Sequence, residues 1–357
     1  MTQSFQPLSV LERIQETSAA ISLVLERPQG FTYKAGQHLP IRLFLDGQEL
    51  RRTYTLSSSP LDPHLKLTIK RVKNGIVSNH LNDHVSVGDS IEAMPPIGHI
   101  YVDGKPNGYR TYYLFAAGSG ITPMMSILRT VLQEETNSHV YLLYGNRDED
   151  AIIFKEALDA VAQRYPKRFH MVHSLSQAKK DRWASLWSTN TLWDARSGII
   201  DEEAVLWFID KYRPVAQNVD YYICGPQDMN YKVSKTLKAL QAPEEDIHVE
   251  YFQAAAQSAV DGSSFVGALA DIQLQGQSFQ IELPKNQSIL KSLLSASHHP
   301  PYSCQSGICG SCRAKLTHGE VHMQSTAALE KKELSQGYIL TCQAHCKTEA
   351  VALNFDT

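Results

Sequence analysis

Three domains in series are expected: an antiparallel β barrel or sandwich, a doubly wound parallel α/β domain, and a small C-terminal metal module. Three observations predict them. Residues 1 to about 105 fall into short β-rich runs between turn signals, the middle alternates apolar strands with amphipathic helices, and five of the six cysteines lie after residue 300. A chain of 357 residues has room for two or three cores at roughly 100–200 residues each.

The first segment contains SAAISLVLERP, AGQHLPIRLFLDG, LKLTIKRV and GDSIEAMPP, separated by Gly, Pro, Asp and Asn clusters. Such spacing predicts antiparallel strands in a barrel or sandwich. The turn-rich stretch 103–110 ends it. TYYLFAAG (111–118), HVYLLYGNR (139–147), FHMVHSL (169–175) and NVDYYICGP (218–226) then read as apolar strands. Helical rhythm fills 121–136 and 148–165, with Phe154, Leu158 and Val161 on one face. Another helix follows 226, with Met229, Val233, Leu237 and Leu240 on one face, and HVEYF (248–252) closes the unit. Strands alternating with helices imply a parallel sheet whose ligands sit at the strands' carboxyl ends. Residues 253–264 are small and polar, a linker signature. Two alternating strands follow, turning at Gly276, then a short helix over 286–299 with Asn286 as its capping signal. The expected boundaries are 1–106, 107–252 and 265–357, with 253–264 between the last two.

Composition excludes several classes. Lys plus Arg is 34 and Asp plus Glu is 37, so the net charge of −3 gives no whole-chain attraction to nucleic acid or anionic lipid. No apolar run is long enough to cross a bilayer, and MTQSFQPLSV lacks the basic and apolar regions of a secretion signal. A cytoplasmic location is expected, with no nucleic-acid partner and no membrane insertion.

The cysteine spacing carries the most chemistry. Four residues separate Cys304 from Cys309, two separate Cys309 from Cys312, and 29 separate Cys312 from Cys342. This is the plant-type pattern for a 2Fe–2S cluster, in which each tetrahedral iron takes two thiolates beside two bridging sulfides. Ser303, Gly307, Gly310 and Ser311 are small enough for backbone N–H groups to close on the sulfurs. The alternative is a structural zinc, which ordinarily uses paired Cys-x-x-Cys knuckles; one such knuckle is present. Cys346 falls outside the pattern and reads as a spare thiol.

With this loop in place, the chain resembles the flavin-dependent reductase components of multicomponent oxygenases that carry a C-terminal plant-type ferredoxin domain. Those serving phenylacetyl-CoA oxygenase and ketosteroid hydroxylase are of this kind. Its front two-thirds is similar to the ferredoxin–NADP reductase family. The resemblance implies an FAD-binding antiparallel barrel, a nicotinamide-binding α/β domain and an α+β (β-grasp) ferredoxin domain. RRTYTLSSSP (51–60) is similar to the family's Arg-x-Tyr-Ser/Thr signature. That implies Arg52 on the flavin phosphate, Tyr54 against the isoalloxazine and Thr55 near its reactive nitrogen. Ile69, Lys70, Arg71 and Val72 would lie along the flavin. Gly75, Ile76, Val77 and Ser78 match the family's Gly-x-x-Ser turn into a helix. Such a turn offers free N–H groups to a pyrophosphate, hence FAD rather than FMN.

AAGSGITPMMS (116–126) places Gly118 and Gly120 between strand and helix, where backbone approaches a dinucleotide; Thr122 and Pro123 follow. It is supported by Cys224-Gly225-Pro226, similar to the family's Cys-Gly-Pro motif, which implies Cys224 beside the nicotinamide and Met229 in the pocket. Glu250 and Phe252 match the family's acidic and aromatic positions near the flavin. Thr55, Cys224 and Glu250 are therefore the expected catalytic set. For NADPH against NADH the signals are mixed. Ser176 matches an NADPH pattern, but Gln177 replaces the expected arginine, leaving Lys179, Lys180 or Arg147 to meet an extra phosphate. The implied activity is transfer of electrons from NADPH or NADH through FAD and the cluster to an oxygenase or hydroxylase component. A redox-sensing role, or a stand-alone flavin or ferric reductase, are the alternatives.

Overall fold

The computed structural model describes residues 5–178, 194–252 and 265–357. Lys179, Lys180 and the expected linker 253–264 lie outside the described residues.

Strands β1 (Gln6–Thr17), β2 (Ala20–Leu25), β3 (His38–Leu45), β4 (Gln48–Thr55), β5 (Leu65–Lys70) and β6 (Ser90–Ala93) form one antiparallel sheet, in the order β4-β3-β6-β1-β2-β5. Its two edges meet. Leu56, just past β4, bridges Leu67 of β5, and the Ser57 N–H donates to the Lys66 carbonyl at 2.9 Å. This closure makes the sheet a barrel rather than a sandwich, because each edge finds its partner in the other. The β3–β4 connection is Asp46-Gly47, with φ of 51° and 75°, the two-residue turn whose twist suits a hairpin. Helix α1 (Ile76–His84) packs Val77 and Leu81 into the barrel core beside Leu39, Leu67 and Ile69.

Strands β7 (Thr111–Ala117), β8 (His139–Asn146), β9 (Phe169–Leu175), β10 (Asp194–Ser197), β11 (Val219–Cys224) and β12 (Ile247–Glu250) form a parallel sheet, ordered β10-β9-β8-β7-β11-β12. Apolar clusters cover both of its faces, which is why its strands read as continuous apolar runs. Helices α2 (Ile121–Glu134), α3 (Lys155–Arg164), α4 (Glu202–Lys211) and α5 (Gln227–Ala239) accompany it. The helix expected over 148–165 starts only at Lys155, because Phe154 takes a left-handed conformation at φ 62°. β10 and α4 were not anticipated; the strand is a short polar run, Asp-Ala-Arg-Ser, without apolar alternation.

The last unit holds β13 (Ala268–Leu274), β14 (Gln277–Leu283), β15 (Arg313–His318), β16 (Val321–Met323), β17 (Tyr338–Leu340), β18 (Ala344–Cys346) and β19 (Ala350–Asn354). Its five-stranded mixed sheet runs β14-β13-β19-β15-β17, and β16 pairs separately with β18. Helix α6 (Ile289–Ser295) packs Ile289 and Leu293 on the sheet's apolar face, the β-grasp arrangement. Its cap is Ser288, accepting from the Lys291 N–H at 3.4 Å, not Asn286. Helix α7 (Lys331–Ser335) closes the set.

One buried group makes acid stability testable. His173 on β9 is fully buried, and burial together with the Lys155 charge pushes its imidazole down to about 3. An unperturbed imidazole titrates near 6.5, so below that pH the unfolded chain binds the extra proton and stability falls as pH drops towards 3. The loss between pH 7 and pH 5 is about 2 kcal/mol on that basis. His173→Leu is expected to flatten this slope in urea denaturation at the two pH values; an unchanged slope would remove His173 as its cause.

Candidate functional site

The strand order of the parallel sheet reverses beside β7, and ligand crevices form at such switch points. Register puts Ala116, Cys224 and Glu250 in one row across β7, β11 and β12. A cavity of about 920 Å³ opens past this row, walled by Lys70 and Gly118 on one side and by Arg147, Ser176, Met229 and Phe252 on others. A β-carbon on Gly120 would stand 1.9 Å from the Cys224 carbonyl oxygen, so the turns 118–120 and 224–226 touch backbone to backbone. The Thr122 hydroxyl donates to the Ser119 carbonyl at 3.0 Å, and buried Pro123 sits in the first turn of α2. Pro226 and Gly225 also line the cavity, and the Met229 side chain lies against Gly225. Cys224 is fully buried. Burial, with the Glu250 charge, pushes its thiol well up, so it stays an uncharged S–H. That suits a packing contact beside a ring, not a nucleophile.

The barrel contributes Thr17, Ser18, Ala19 and Lys70 to the cavity, while Arg52, Tyr54 and Thr55 are outside its lining. Thr55 is buried, and its hydroxyl donates to Glu250 Oε1 at 3.4 Å. Glu250 Oε2 is buried and has no hydrogen-bond partner among the described residues. Tyr54 packs partly against the barrel core, and burial pushes its phenol up. Arg52 is exposed, its guanidinium donating to the Arg51 carbonyl at 2.7 Å. The Lys70 ammonium lies 3.2 Å from where Gly118 would carry a β-carbon; burial and then the Arg147 charge push its pKa down. Arg71 instead forms a bidentate pair with Asp83, at 2.5 and 3.0 Å. Ile69 lies inside the barrel core and Val77 joins it. Val72 and Ile76, by contrast, are large apolar side chains exposed on either side of Gly75. The Ser78 hydroxyl accepts from the Val72 N–H at 3.1 Å and closes this turn. No side chain caps α1, which leaves its first N–H groups for a ligand. An uncapped helix start, an arginine, two exposed apolar side chains and an orphaned buried carboxylate oxygen together fit FAD, whose pyrophosphate is anionic and whose ring is flat and apolar.

The cysteine loop fits a two-iron cluster. The four thiols gather in one site, Cys309 beside Cys304 and Cys342 beside Cys312. Four thiolates are the ligand set that a two-iron cluster takes, two to each iron. The Ser306 N–H donates to Cys304 Sγ at 3.4 Å, the Ser311 hydroxyl lies 3.2 Å from Cys309 Sγ, and the Gln343 amide lies 3.6 Å from Cys342 Sγ. The Cys309 contact, then the Ser306 hydroxyl and the backbone N–H groups of Ser306 and Ile308, hold the Cys304 thiol well below its ordinary range. Gly307 takes φ 79°, and a β-carbon there would meet the Gln343 side chain at 2.8 Å. Cys346 packs in the apolar core behind the loop.

Sequence reasoning missed the residues that join barrel and cysteine loop. On β4, side chains two apart share a face. Arg51 stacks over the Tyr302 ring at 3.8 Å and donates to the Tyr302 carbonyl at 3.1 Å. Thr53 and Ser303 share a hydroxyl hydrogen bond at 2.9 Å. His38, paired opposite Thr55, brings Nε2 to 3.2 Å from the Cys309 carbonyl. A fourth tie, Lys331 to Glu244, joins the β-grasp unit to the parallel-sheet unit. These partners lie far apart in the chain, so no local signal marks them.

Comparison with known proteins agrees with this geometry. Residues 6–101 match an oxidoreductase FAD-binding domain, 114–235 an oxidoreductase NAD-binding domain, and 272–347 a 2Fe-2S iron-sulfur cluster binding domain. The chain is 32% identical to one of the subunits of the 1,2-phenylacetyl-CoA epoxidase of Escherichia coli, covering 99% of this chain and 98% of that one. It is 34% identical to the ferredoxin reductase component of the 3-ketosteroid-9-alpha-monooxygenase of Mycolicibacterium smegmatis, covering 98% and 96%. Among solved structures it is similar to phthalate dioxygenase reductase, with 25% identity, a TM-score of 0.57 and 98% of both chains covered. An intact self-sufficient cytochrome P450 monooxygenase shares the fold over 98% of this chain and 41% of that one, at 19% identity and a TM-score of 0.72.

Proposed function

Because this chain belongs to the family of NAD(P)H-dependent, FAD- and 2Fe–2S-containing reductase components of oxygenase systems, we propose a specific division of labour among its residues. The protein is an oxidoreductase that delivers electrons to a partner oxygenase. When bound, FAD takes hydride from the nicotinamide and the cluster relays single electrons onward. The chain's residues do the rest. Arg52 and the start of α1 hold the FAD phosphates. Tyr54, Val72 and Ile76 shelter its ring, with Thr55 and Glu250 at its reactive edge. Gly118, Gly120 and Gly225 admit the nicotinamide, with the uncharged Cys224 thiol in the strand row that ends in Glu250. Cys304, Cys309, Cys312 and Cys342 hold the iron. Units 1–106, 107–252 and 265–357, with 253–264 as linker, are part of this reading, and so is a cytoplasmic location, since a reducing compartment suits thiolates committed to iron. Within the described residues no helix is long and apolar enough to cross a membrane.

The observation that carries the reading is the seating of the paired-thiol loop on β4, the strand that bears Arg52, Tyr54 and Thr55. Anaerobic stopped-flow mixing with NADPH tests it. Flavin bleaching followed by cluster reduction, and then by reduction of an added one-electron acceptor, is expected. A cluster that stays oxidised while the flavin bleaches would overturn the order.

NADPH is proposed as the hydride donor over NADH. Arg147 and Ser176 line the same cavity, and the Ser176 N–H is tied to the Asn146 carbonyl at 3.1 Å. In the same mixing experiment, Arg147→Ala is expected to weaken NADPH about tenfold relative to NADH, the scale of a charge-assisted hydrogen bond. Equal loss for both cofactors would remove Arg147 as the discriminating residue.

A further inference from the structure

We propose that His38 is a positioning residue for the flavin-to-cluster step, tying the cluster loop to the flavin edge of the barrel. The inference rests on the reading above and adds a residue that no motif contains. His38 is buried at the start of β3, directly opposite Thr55. Its two ring nitrogens face two different domains. Nε2 lies 3.2 Å from the carbonyl oxygen of Cys309, and Nδ1 lies 3.6 Å from Glu250 Oε1, the oxygen that accepts from Thr55. A carbonyl can only accept, so Nε2 carries the hydrogen towards the cluster loop.

The imidazole therefore stands between Glu250, at the flavin edge, and the backbone of a cluster ligand. The imidazole spans 271 residues of sequence in one side chain. The surroundings fix its aim. A β-carbon on Gly98 would sit 3.0 Å from the imidazole Cε1, so the ring has backbone packed against it. Arg51 on Tyr302 and Thr53 on Ser303 grip the start of the loop and act as anchors. Those two contacts hold the loop to the barrel; the His38 contact sets the height of Cys309 above the flavin edge. Electron transfer between two bound groups depends on their separation and orientation, and positioning is the service a protein gives its cofactors.

Two substitutions separate the nitrogens. In His38→Gln the amide nitrogen falls where Nε2 was and keeps the donor to the Cys309 carbonyl. In His38→Asn the amide nitrogen falls where Nδ1 was and that donor is lost. Stopped-flow mixing of each holoprotein with NADPH reads flavin bleaching and cluster reduction separately. Cluster reduction is read relative to flavin bleaching in each variant, because the Nδ1 side of His38 faces Glu250. Cluster reduction is expected to stay within about twofold in His38→Gln and to slow about tenfold in His38→Asn, the scale of one positioned hydrogen bond. Two further readouts do not depend on turnover. Amide hydrogen exchange across residues 302–312 is expected to quicken in His38→Asn only, and the EPR signal of the chemically reduced cluster to shift in that variant only. Native rates and spectra in His38→Asn would overturn the proposal. So would equal slowing of flavin bleaching and cluster reduction in both variants, which would place the role of His38 in the flavin pocket instead. If the native protein itself fails to reduce its cluster from the flavin, the broader reading fails, and that is seen before any variant is made.

Discussion

Cys342→Ser is expected to abolish electron delivery through the cluster while sparing hydride transfer to the flavin. Cys342 is buried and paired with Cys312, and the Gln343 amide stands beside its sulfur. A hydroxyl in its place is a hard, weakly acidic ligand where iron–sulfur chemistry needs a soft thiolate. Iron content should fall, and reduction of a cluster-dependent acceptor should drop beyond the ~10–100-fold typical of losing a supporting group around a metal. Ferricyanide, which takes electrons from flavin directly, should still be reduced from NADPH at near-native rate. Cys346→Ser is the informative comparison. Cys346 lies in the apolar core, and burial pushes its thiol up to about 11. That variant should keep its cluster and its delivery rate, with a modest loss of stability. Iron loss in Cys346→Ser, or a retained cluster and full delivery in Cys342→Ser, would contradict the ligand assignment.

Gly120→Ala should stop the reaction at the other end of the path. The added methyl would stand 1.9 Å from the Cys224 carbonyl oxygen and 2.5 Å from its carbon. Neither is the free end of a flexible side chain; both belong to the backbone of the partner turn. The turns 118–120 and 224–226 must therefore separate, which widens the cradle for the nicotinamide. Overpacking of this kind costs about 1–3 kcal/mol or more in stability. A reacting group misplaced by roughly 1 Å costs about a hundredfold in rate. Flavin bleaching by NADPH is the direct measurement. Dithionite reduction of the flavin and cluster should remain normal, because neither group lies in that contact. Native-rate bleaching in Gly120→Ala would show that the two turns do not form the nicotinamide cradle.

Much of the site could be read locally. The proposed iron ligands Cys304, Cys309, Cys312 and Cys342 announce themselves because a plant-type two-iron cluster takes its sulfurs at a characteristic chain spacing. Gly118 and Gly120 do so because a strand-to-helix turn meeting a dinucleotide leaves no room for side chains. Other positions were readable as motifs but not as geometry. Lys70 and Arg71 are neighbours in sequence, yet Lys70 lines the cavity while Arg71 is held by Asp83. Ile69 and Val72 flank them, yet Ile69 lies in the core and Val72 on the surface. Strand alternation and a distant helix decide such pairs.

Three folding units, two cofactor-binding signatures and a plant-type cysteine spacing are legible in the sequence alone, because each depends on residues within one strand, turn or loop. Tertiary structure alone decided how the units face one another. It closed the barrel through Leu56 and Leu67, set Cys224 beside Glu250 by strand register, and laid Tyr302, Ser303 and Cys309 on Arg51, Thr53 and His38. Those contacts join residues up to 271 positions apart. A single side chain such as His38 carries no mark of its partner until folding brings the partner within hydrogen-bond reach.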